Sequence, residues 1–144
     1  MSNLFPDDEV REKALHMLEH DLIAWIVTVG ADGAPHAVPV WFFWHDGRVY
    51  VFSEPSTAKV RHVRAGSPVV IHLQAGGRFG DDVVVLRGSA EIAEQSAASV
   101  LAPFRSAYAD KYREAIADYG MPLEQIEATF SAAIMFTPVS ALAW

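Results

Sequence analysis

The sequence predicts a mainly β fold with flanking helices, in which six antiparallel strands close into a small barrel. Three observations support this prediction. Short runs rich in Val, Ile and aromatic residues are separated by turn sequences such as Gly30–Gly33 and His45–Gly47. The strands do not alternate regularly with helices, as they would in a parallel sheet. The length of 144 residues is that of one folding unit, so we predict a single domain over residues 1–144.

The individual elements follow from the periodicity of apolar residues. Asp7 or Asp8 is placed to cap an amphipathic first helix that continues to about Glu19. Ser56 is the expected cap of a short helix through Ala65. The expected strands are residues 22–29, 36–44, 48–53, 69–74, 82–93 and 132–144, and two further helical segments are expected at 97–118 and 122–130.

Several residues predict irregularities within these strands. Pro39 cannot donate to a sheet ladder, so the second strand should have an edge, a bulge or an opening there. Gly88 is expected to mark a bend or bulge, and Pro138 a break or turn in the last strand. The consecutive aromatic residues Trp41–Trp44 imply that both faces of their strand are covered. A partner subunit is the simplest cover that the sequence suggests.

Composition and charge argue against several classes of function. The net charge is −7, whereas nucleic-acid affinity depends on clustered Lys and Arg, so no nucleic-acid partner is expected. The apolar runs are shorter than the roughly 20 residues of a membrane helix, and the acidic N-terminal segment does not resemble a signal peptide. We therefore expect a soluble, cytoplasmic protein without a membrane partner.

Metal and thiol chemistry are not predicted either. The absence of cysteine excludes disulfides, thiolate metal sites and thiol nucleophiles. His16 and His20 have the spacing of two metal ligands on a helix, but no third ligand is evident in the sequence. The prediction is that no metal is bound.

The segment Phe52–Arg64 carries the strongest indication of a ligand site. It leaves a strand and enters a helix, whose first turn offers free N–H groups and the positive end of the helix dipole to an anion. Ser53 and Thr57 add hydroxyl groups, and Lys59 and Arg61 add positive charge. The alternative is a capped surface helix with solvated basic side chains. The local pattern alone does not choose between the two.

Three stretches of the chain, taken in order, resemble a known family. They are Ala24–Val29, Gly33–Phe42, and Thr57–Arg64 followed by Pro68. Together they resemble the pyridoxamine 5'-phosphate oxidase-like split β-barrel family, the FMN-binding split barrel type. The resemblance is more narrowly to an actinobacterial branch that uses the deazaflavin coenzyme F420. It implies an antiparallel six-stranded split β-barrel and a homodimer with cofactor sites at the subunit interface.

The same resemblance implies a set of cofactor contacts. The residues that would hold the cofactor phosphate are Thr57, Ala58, Lys59 and Arg61. The residues that would lie along or beside the ring system are Pro39, Val40, Trp41, Ser53 and Gln74. Hydride transfer is the chemistry of the cofactor and does not require an acid or base from the protein, so no catalytic side chain is predicted.

The function that follows from the resemblance is an F420-dependent oxidoreductase. It would transfer a hydride between the reduced coenzyme and a small unsaturated organic substrate. An FMN-dependent oxidoreductase of the same fold and a non-catalytic flavin- or deazaflavin-binding protein are the alternatives. The deazaflavin carries an additional anionic tail, for which Arg64 and Arg78 are the candidate partners.

Overall fold

The structure, a computed structural model that describes residues 4–144, is built on one antiparallel sheet with flanking helices. Its strands are β1 Ala24–Val29, β2 Pro35–Val40, β3 Phe43–His45, β4 Arg48–Ser53, β5 Val69–Leu73, β6 Val84–Ile92 and β7 Ala132–Ala143. They lie in the order β2-β1-β5-β6-β7-β4-β3. The predicted fold class is confirmed. The predicted domain begins at residue 1, and residues 1–3 lie outside the described residues.

The expected second strand is two strands, so the predicted number of six is wrong and the sheet has seven strands within residues 4–144. The strand ends at Val40, and the chain resumes as β3 at Phe43. These two strands form the opposite edges of the sheet, although only Trp41 and Phe42 separate them in sequence. Such a short connection spans at most about 11 Å. The sheet therefore curls until its two edges come close together, which is the geometry of a split barrel.

Pro39 lies on an edge strand, as one of the predicted alternatives requires. Within the described chain β2 pairs only with β1, and Pro39 lies opposite Trp25. A residue without an N–H group is tolerated there, because an edge strand leaves half of its backbone groups outside the ladder.

Gly88 and Pro138 face each other at a β-bulge between β6 and β7. The register shifts at this point and leaves Val139 outside the pairing. A Cβ atom on Gly88 would overlap the carbonyl oxygen of Thr137, so only glycine fits. The predicted bulge is confirmed. The expected break at Pro138 is wrong, because the bulge accommodates the proline and β7 continues to Ala143.

The interior of the curled sheet is filled from the strands and from two helices. Side chains of β1 and β5 alternate between buried and partly exposed, as strand geometry requires. Helix α1, Asp8–His20, contributes Ala14, Met17 and Leu18 to this core. Helix α2, Ala58–Arg64, contributes Val60 and Val63.

The two helices differ in how they begin. The carboxylate of Asp7 accepts a hydrogen bond of 2.9 Å from the Val10 amide, so the predicted cap of α1 is confirmed. Helix α2 begins after Thr57, and the expected cap Ser56 is wrong. The Thr57 hydroxyl does not cap the helix either, because it lies within hydrogen-bond distance of the Glu54 carbonyl oxygen.

A layer of short helices covers one outer side of the barrel. It consists of α3 Ala97–Leu101, a 3-10 turn Ala102–Phe104, α4 Arg105–Lys111, α5 Arg113–Tyr119 and α6 Leu123–Thr129. Leu101, Phe104, Tyr108 and Tyr112 of this layer pack against Trp41, Phe43, Tyr50 and Phe52. The outer aromatic residues of the second predicted strand are thus covered by the chain's own helices, and their burial does not require a partner subunit. Across residues 4–144, no helix is long and apolar enough to cross a membrane.

Candidate functional site

A cavity of about 350 Å³ lies between the barrel and the outer helices. Its lining comes from the end of β2, from the turn between β4 and α2, and from α4 to the end of α6. The lining residues are Pro39, Val40, Trp41, Phe52, Ser53, Glu54, Thr57, Lys59, Tyr108, Tyr119, Ile126 and Phe130. This volume is at the lower end of the range of about 300–1,000 Å³ for small-molecule sites.

Four polar residues of the lining lie in or beside the turn between β4 and α2, namely Ser53, Glu54, Thr57 and Lys59. The hydroxyl oxygens of Ser53 and Thr57 lie 2.8 Å apart. They lie 2.9 Å and 3.2 Å, respectively, from the carbonyl oxygen of Glu54. Each hydroxyl has one proton to donate, and both protons are donated in hydrogen bonds among these three oxygens, within the turn. The hydroxyl groups therefore hold the turn in shape and place Lys59 beside the cavity.

Lys59 is the cationic side chain of the lining. It is half-buried, and within residues 4–144 it makes no ion pair within 4.0 Å. Burial lowers the pKa of the Lys59 ammonium below its ordinary value, and the negative charge of Glu54 partly opposes this shift. A partly desolvated ammonium group without a close partner attracts an anion more strongly than a fully solvated one.

The structure brings six of the predicted site residues together and leaves three outside the cavity. Those in the lining are Pro39, Val40, Trp41, Ser53, Thr57 and Lys59. Ala58 begins α2 but does not reach the cavity. The guanidinium of Arg61 donates instead to the Ser56 carbonyl oxygen at 2.7 Å, and Gln74 is exposed after the end of β5.

The candidate partners of an anionic tail also lie away from the lining. Arg64 is an exposed residue at the end of α2. The guanidinium carbon of Arg78 lies 5.0 Å from the centre of the Phe79 ring, in the loop between β5 and β6. Neither residue lines the cavity.

Sequence reasoning missed the aromatic wall of the cavity. This wall consists of Trp41, Phe52, Tyr108, Tyr119 and Phe130, and only Trp41 was among the predicted site residues. One signal was present, because Phe104, Tyr108 and Tyr112 recur every four residues and so share one face of a helix. That spacing predicts an aromatic face but does not identify what it covers.

Tyr112 and Lys111 fix the aromatic wall to the barrel. The Tyr112 hydroxyl donates to the Leu22 carbonyl oxygen at 2.7 Å and accepts from the Phe42 amide at 2.9 Å. Its ring stacks on the Trp41 ring with centroids 4.7 Å apart and planes at 10°. The Lys111 ammonium donates to the Phe42 carbonyl oxygen at 2.9 Å. The orientation of Trp41 at the cavity therefore depends on residues of the helical layer.

Comparison with known families supports the fold and the resemblance. Residues 10–135 match the family model described as pyridoxamine 5'-phosphate oxidase. The chain belongs to the pyridoxamine 5'-phosphate oxidase family. The family predicted from the three sequence stretches is thereby confirmed. Among curated proteins, none matches the chain by sequence.

Several solved structures share the fold of this pyridoxamine 5'-phosphate oxidase family member. One, an F420 reductase, is 20% identical with a TM-score of 0.66, over 88% of this chain and 94% of its own. A conserved hypothetical protein from Mycobacterium tuberculosis is 17% identical with a TM-score of 0.75, over 100% and 88%. An FAD-binding protein from Mesorhizobium loti is 18% identical with a TM-score of 0.65, over 91% and 89%. At these identities the similarity shows a common fold.

Proposed function

We propose that the cavity binds a flavin-type cofactor and that the protein is an F420-dependent oxidoreductase. It would transfer a hydride between the reduced coenzyme and a small unsaturated organic substrate. The observation that carries this proposal is one cavity lined both by the Lys59 ammonium and by flat aromatic side chains. Membership of the family supports it, as do similar structures named as an F420 reductase and as an FAD-binding protein.

The residues of the cavity fit the two chemically different parts of such a cofactor. The aromatic wall and Pro39 offer apolar surfaces to a planar ring, while Lys59 offers a charge to a phosphate. The volume of about 350 Å³ lies within the range of small-molecule sites. A bound cofactor would therefore place its ring against the aromatic wall and its phosphate at the Lys59 end of the cavity.

The protein's contribution to the reaction is binding, orientation and exclusion of water. When bound, the reduced cofactor would supply the hydride, and solvent on the open side of the cavity would supply the proton that completes the reduction, so no acid or base of the protein is required. The aromatic wall would orient the ring and keep water from one side of it, and Lys59 would fix its position along the cavity. Glu54 places a carboxylate beside the same cavity, which opposes the binding of any anion there.

One observation favours FMN as the alternative cofactor. A deazaflavin has a longer anionic tail than FMN, and basic residues along the path of the tail would favour it. Arg64 and Arg78, the candidates for this role, do not line the cavity. An FMN-dependent oxidoreductase needs only the Lys59 end of the site and is the second candidate function.

We also propose that the protein is a homodimer in which a second copy covers the outer face of β1, β5, β6 and β7. Trp25 of β1 stacks on His72 of β5, with ring centroids 6.4 Å apart, and both lie on the outer face. Leu142 of β7 lies opposite Val85 on the same face and is 43% exposed. Sedimentation of the wild type and of a Leu142→Lys variant tests the dimer. We expect a dimer that dissociates in the variant, and a monomeric wild type would contradict the proposal.

The function is tested by titrating the purified protein with F420 and with FMN. We expect Lys59→Ala to weaken binding of the preferred cofactor roughly tenfold or more, because a charge-assisted contact with phosphate is lost. Arg61→Ala is the matched control, because it removes a basic side chain two residues away that does not line the cavity. Tighter binding of FMN would favour the second candidate. Failure to bind either cofactor, or equal losses in both variants, would contradict the cofactor site.

A further inference from the structure

Tyr108 is almost completely buried and yet lines the cavity. It lies on α4 and is 3% exposed. The rings of Phe43, Phe52 and Tyr112 lie around it, with centroids 5.9, 5.7 and 5.1 Å away, respectively. The phenol ring is therefore held on several sides by aromatic packing, which fixes the direction of its hydroxyl group.

The Tyr108 hydroxyl has no hydrogen-bond partner within residues 4–144, unlike the hydroxyl of Tyr112. In the same part of the chain, no fully enclosed side-chain nitrogen or oxygen atom lacks a partner. The Tyr108 oxygen is therefore not enclosed by protein. Since Tyr108 lines the cavity and its ring is packed, this oxygen opens onto the cavity.

The surroundings of this hydroxyl select the chemistry of its partner. Buried polar groups are nearly always hydrogen-bonded, so a ligand that fills the cavity must satisfy it. Burial alone raises the pKa of the Tyr108 phenol above its ordinary value, so the group remains a neutral donor. Aromatic rings pack around the Tyr108 ring, and an apolar environment of this kind favours an uncharged acceptor over an anion.

We propose that the Tyr108 hydroxyl donates a hydrogen bond to the carbonyl oxygen of a planar, uncharged ring bound against the aromatic wall. This inference rests on the proposed function, which supplies two sources of such a ring. One is the cofactor's own ring system, and the other is a cyclic unsaturated ketone as substrate. Tyr108 acts as a positioning residue through this contact, and the chemistry of its partner is the same for both sources.

The hydrogen bond is tested with two probes of nearly equal shape, 2-acetonaphthone and 2-ethylnaphthalene, of which only the first has a carbonyl group. Their affinities are measured for the wild type, for Tyr108→Phe and for Tyr50→Phe, without cofactor. Tyr50 is the matched control, because it packs in the same aromatic cluster but does not line the cavity. We expect Tyr108→Phe to weaken 2-acetonaphthone binding roughly fivefold to tenfold and to leave 2-ethylnaphthalene unchanged. We expect no change in Tyr50→Phe.

A second measurement separates the two sources of the carbonyl. F420 and FMN are titrated into the same variants, and the probe titrations are repeated on the cofactor-loaded wild type and Tyr108→Phe. Loss of cofactor affinity in Tyr108→Phe assigns the contact to the cofactor ring, and a loss confined to the ketone probe assigns it to the substrate.

The inference and the proposed function can fail separately. Equal effects of Tyr108→Phe on both probes, together with unchanged cofactor affinity, would overturn the hydrogen bond even if the cofactor binds. Discrimination between the probes by Tyr108, without binding of either cofactor, would support the hydrogen bond and contradict the proposed function.

Discussion

The Tyr112 hydroxyl donates to the Leu22 carbonyl oxygen at 2.7 Å, across 90 residues of sequence. Leu22 lies between α1 and β1, and Tyr112 lies between α4 and α5. This hydrogen bond therefore joins the helical layer to the start of the barrel. The same hydroxyl accepts from the buried Phe42 amide, next to Trp41 at the cavity.

We expect Tyr112→Phe to lower the free energy of unfolding by roughly 1–3 kcal/mol, because it leaves the buried Phe42 amide without an acceptor. Urea unfolding followed by tryptophan fluorescence measures the change. Tyr50→Phe is the control and should change the value by less than about 0.5 kcal/mol. An unchanged stability of Tyr112→Phe would mean that another group takes over the amide.

The lowered pKa of the Lys111 ammonium predicts that the free energy of unfolding rises with pH on the alkaline side. Burial lowers the pKa of its ammonium to about 8, and Asp21 partly opposes this shift. Between about pH 8 and 10.5 the unfolded chain binds more protons than the folded chain, so this group makes stability rise with pH in that window. The full shift corresponds to about 3 kcal/mol. Because solvent reaches part of the ammonium group, we expect the free energy of unfolding to rise by on the order of 1 kcal/mol over this pH window.

The measurement compares the unfolding free energies of the wild type and Lys111→Met at about pH 7 and about pH 9.5. The difference between them should move in favour of the wild type at the higher pH, because the variant lacks the titrating group. Lys13→Met is the control, since the Lys13 ammonium lies near the surface beside Asp82 at 2.9 Å. The same pH dependence in wild type and Lys111→Met would contradict the assignment.

Gly88→Ala is expected to destabilise the protein by about 3 kcal/mol or more. Its new Cβ atom would overlap the Thr137 carbonyl oxygen, which belongs to the backbone of the paired strand and cannot rotate away. Thermal unfolding measures the loss, with the exposed neighbour Ser89→Ala as control. If both variants unfold at the same temperature, the close approach at the bulge is absent in solution.

Glu54→Gln is expected to strengthen binding of the phosphate-bearing cofactor roughly twofold to fivefold. The change removes a negative charge beside the cavity but keeps the shape of the side chain. The gain should shrink as salt is added, because the carboxylate is exposed to solvent. Titration of FMN and F420 at two salt concentrations measures it, and Glu91→Gln, on the outside of β6, is the control. Weaker binding in Glu54→Gln would show that the carboxylate contacts the ligand directly.

The hairpins were predictable because their signals are local. The turn after β3 has positive φ angles of 51° at Asp46 and 76° at Gly47, as a tight two-residue hairpin requires. The division of the expected second strand was not predictable, because apolar residues continue without interruption through Trp41 and Phe42. What separates β2 from β3 is the curl of the whole sheet, and that depends on the pairing of distant strands.

The residues of the candidate site also fall into two groups, those that a local sequence pattern predicts and those that distant parts of the chain bring to the cavity. Ser53, Thr57 and Lys59 lie within seven consecutive residues, so a local pattern was enough to group them. Tyr108 and Phe130 reach the cavity only because the helical layer folds back over β3 and β4. Arg61 shows the limit of local patterns, since its charge belongs to the same helix but its side chain turns back to Ser56.

The two-residue connection between β2 and β3 has a consequence for ligand occupancy. The two edge strands, β2 and β3, do not pair with each other. The seam between these two strands is held closed by the two connecting residues and by side-chain packing. The cavity borders this seam through Val40 and Trp41 on one side and through Phe52 on the other. A molecule bound there contacts both sides, so its affinity for the folded state adds to the forces that keep the seam closed. The melting temperature of the protein should therefore rise with the concentration of its ligand, by mass action and without any change of fold.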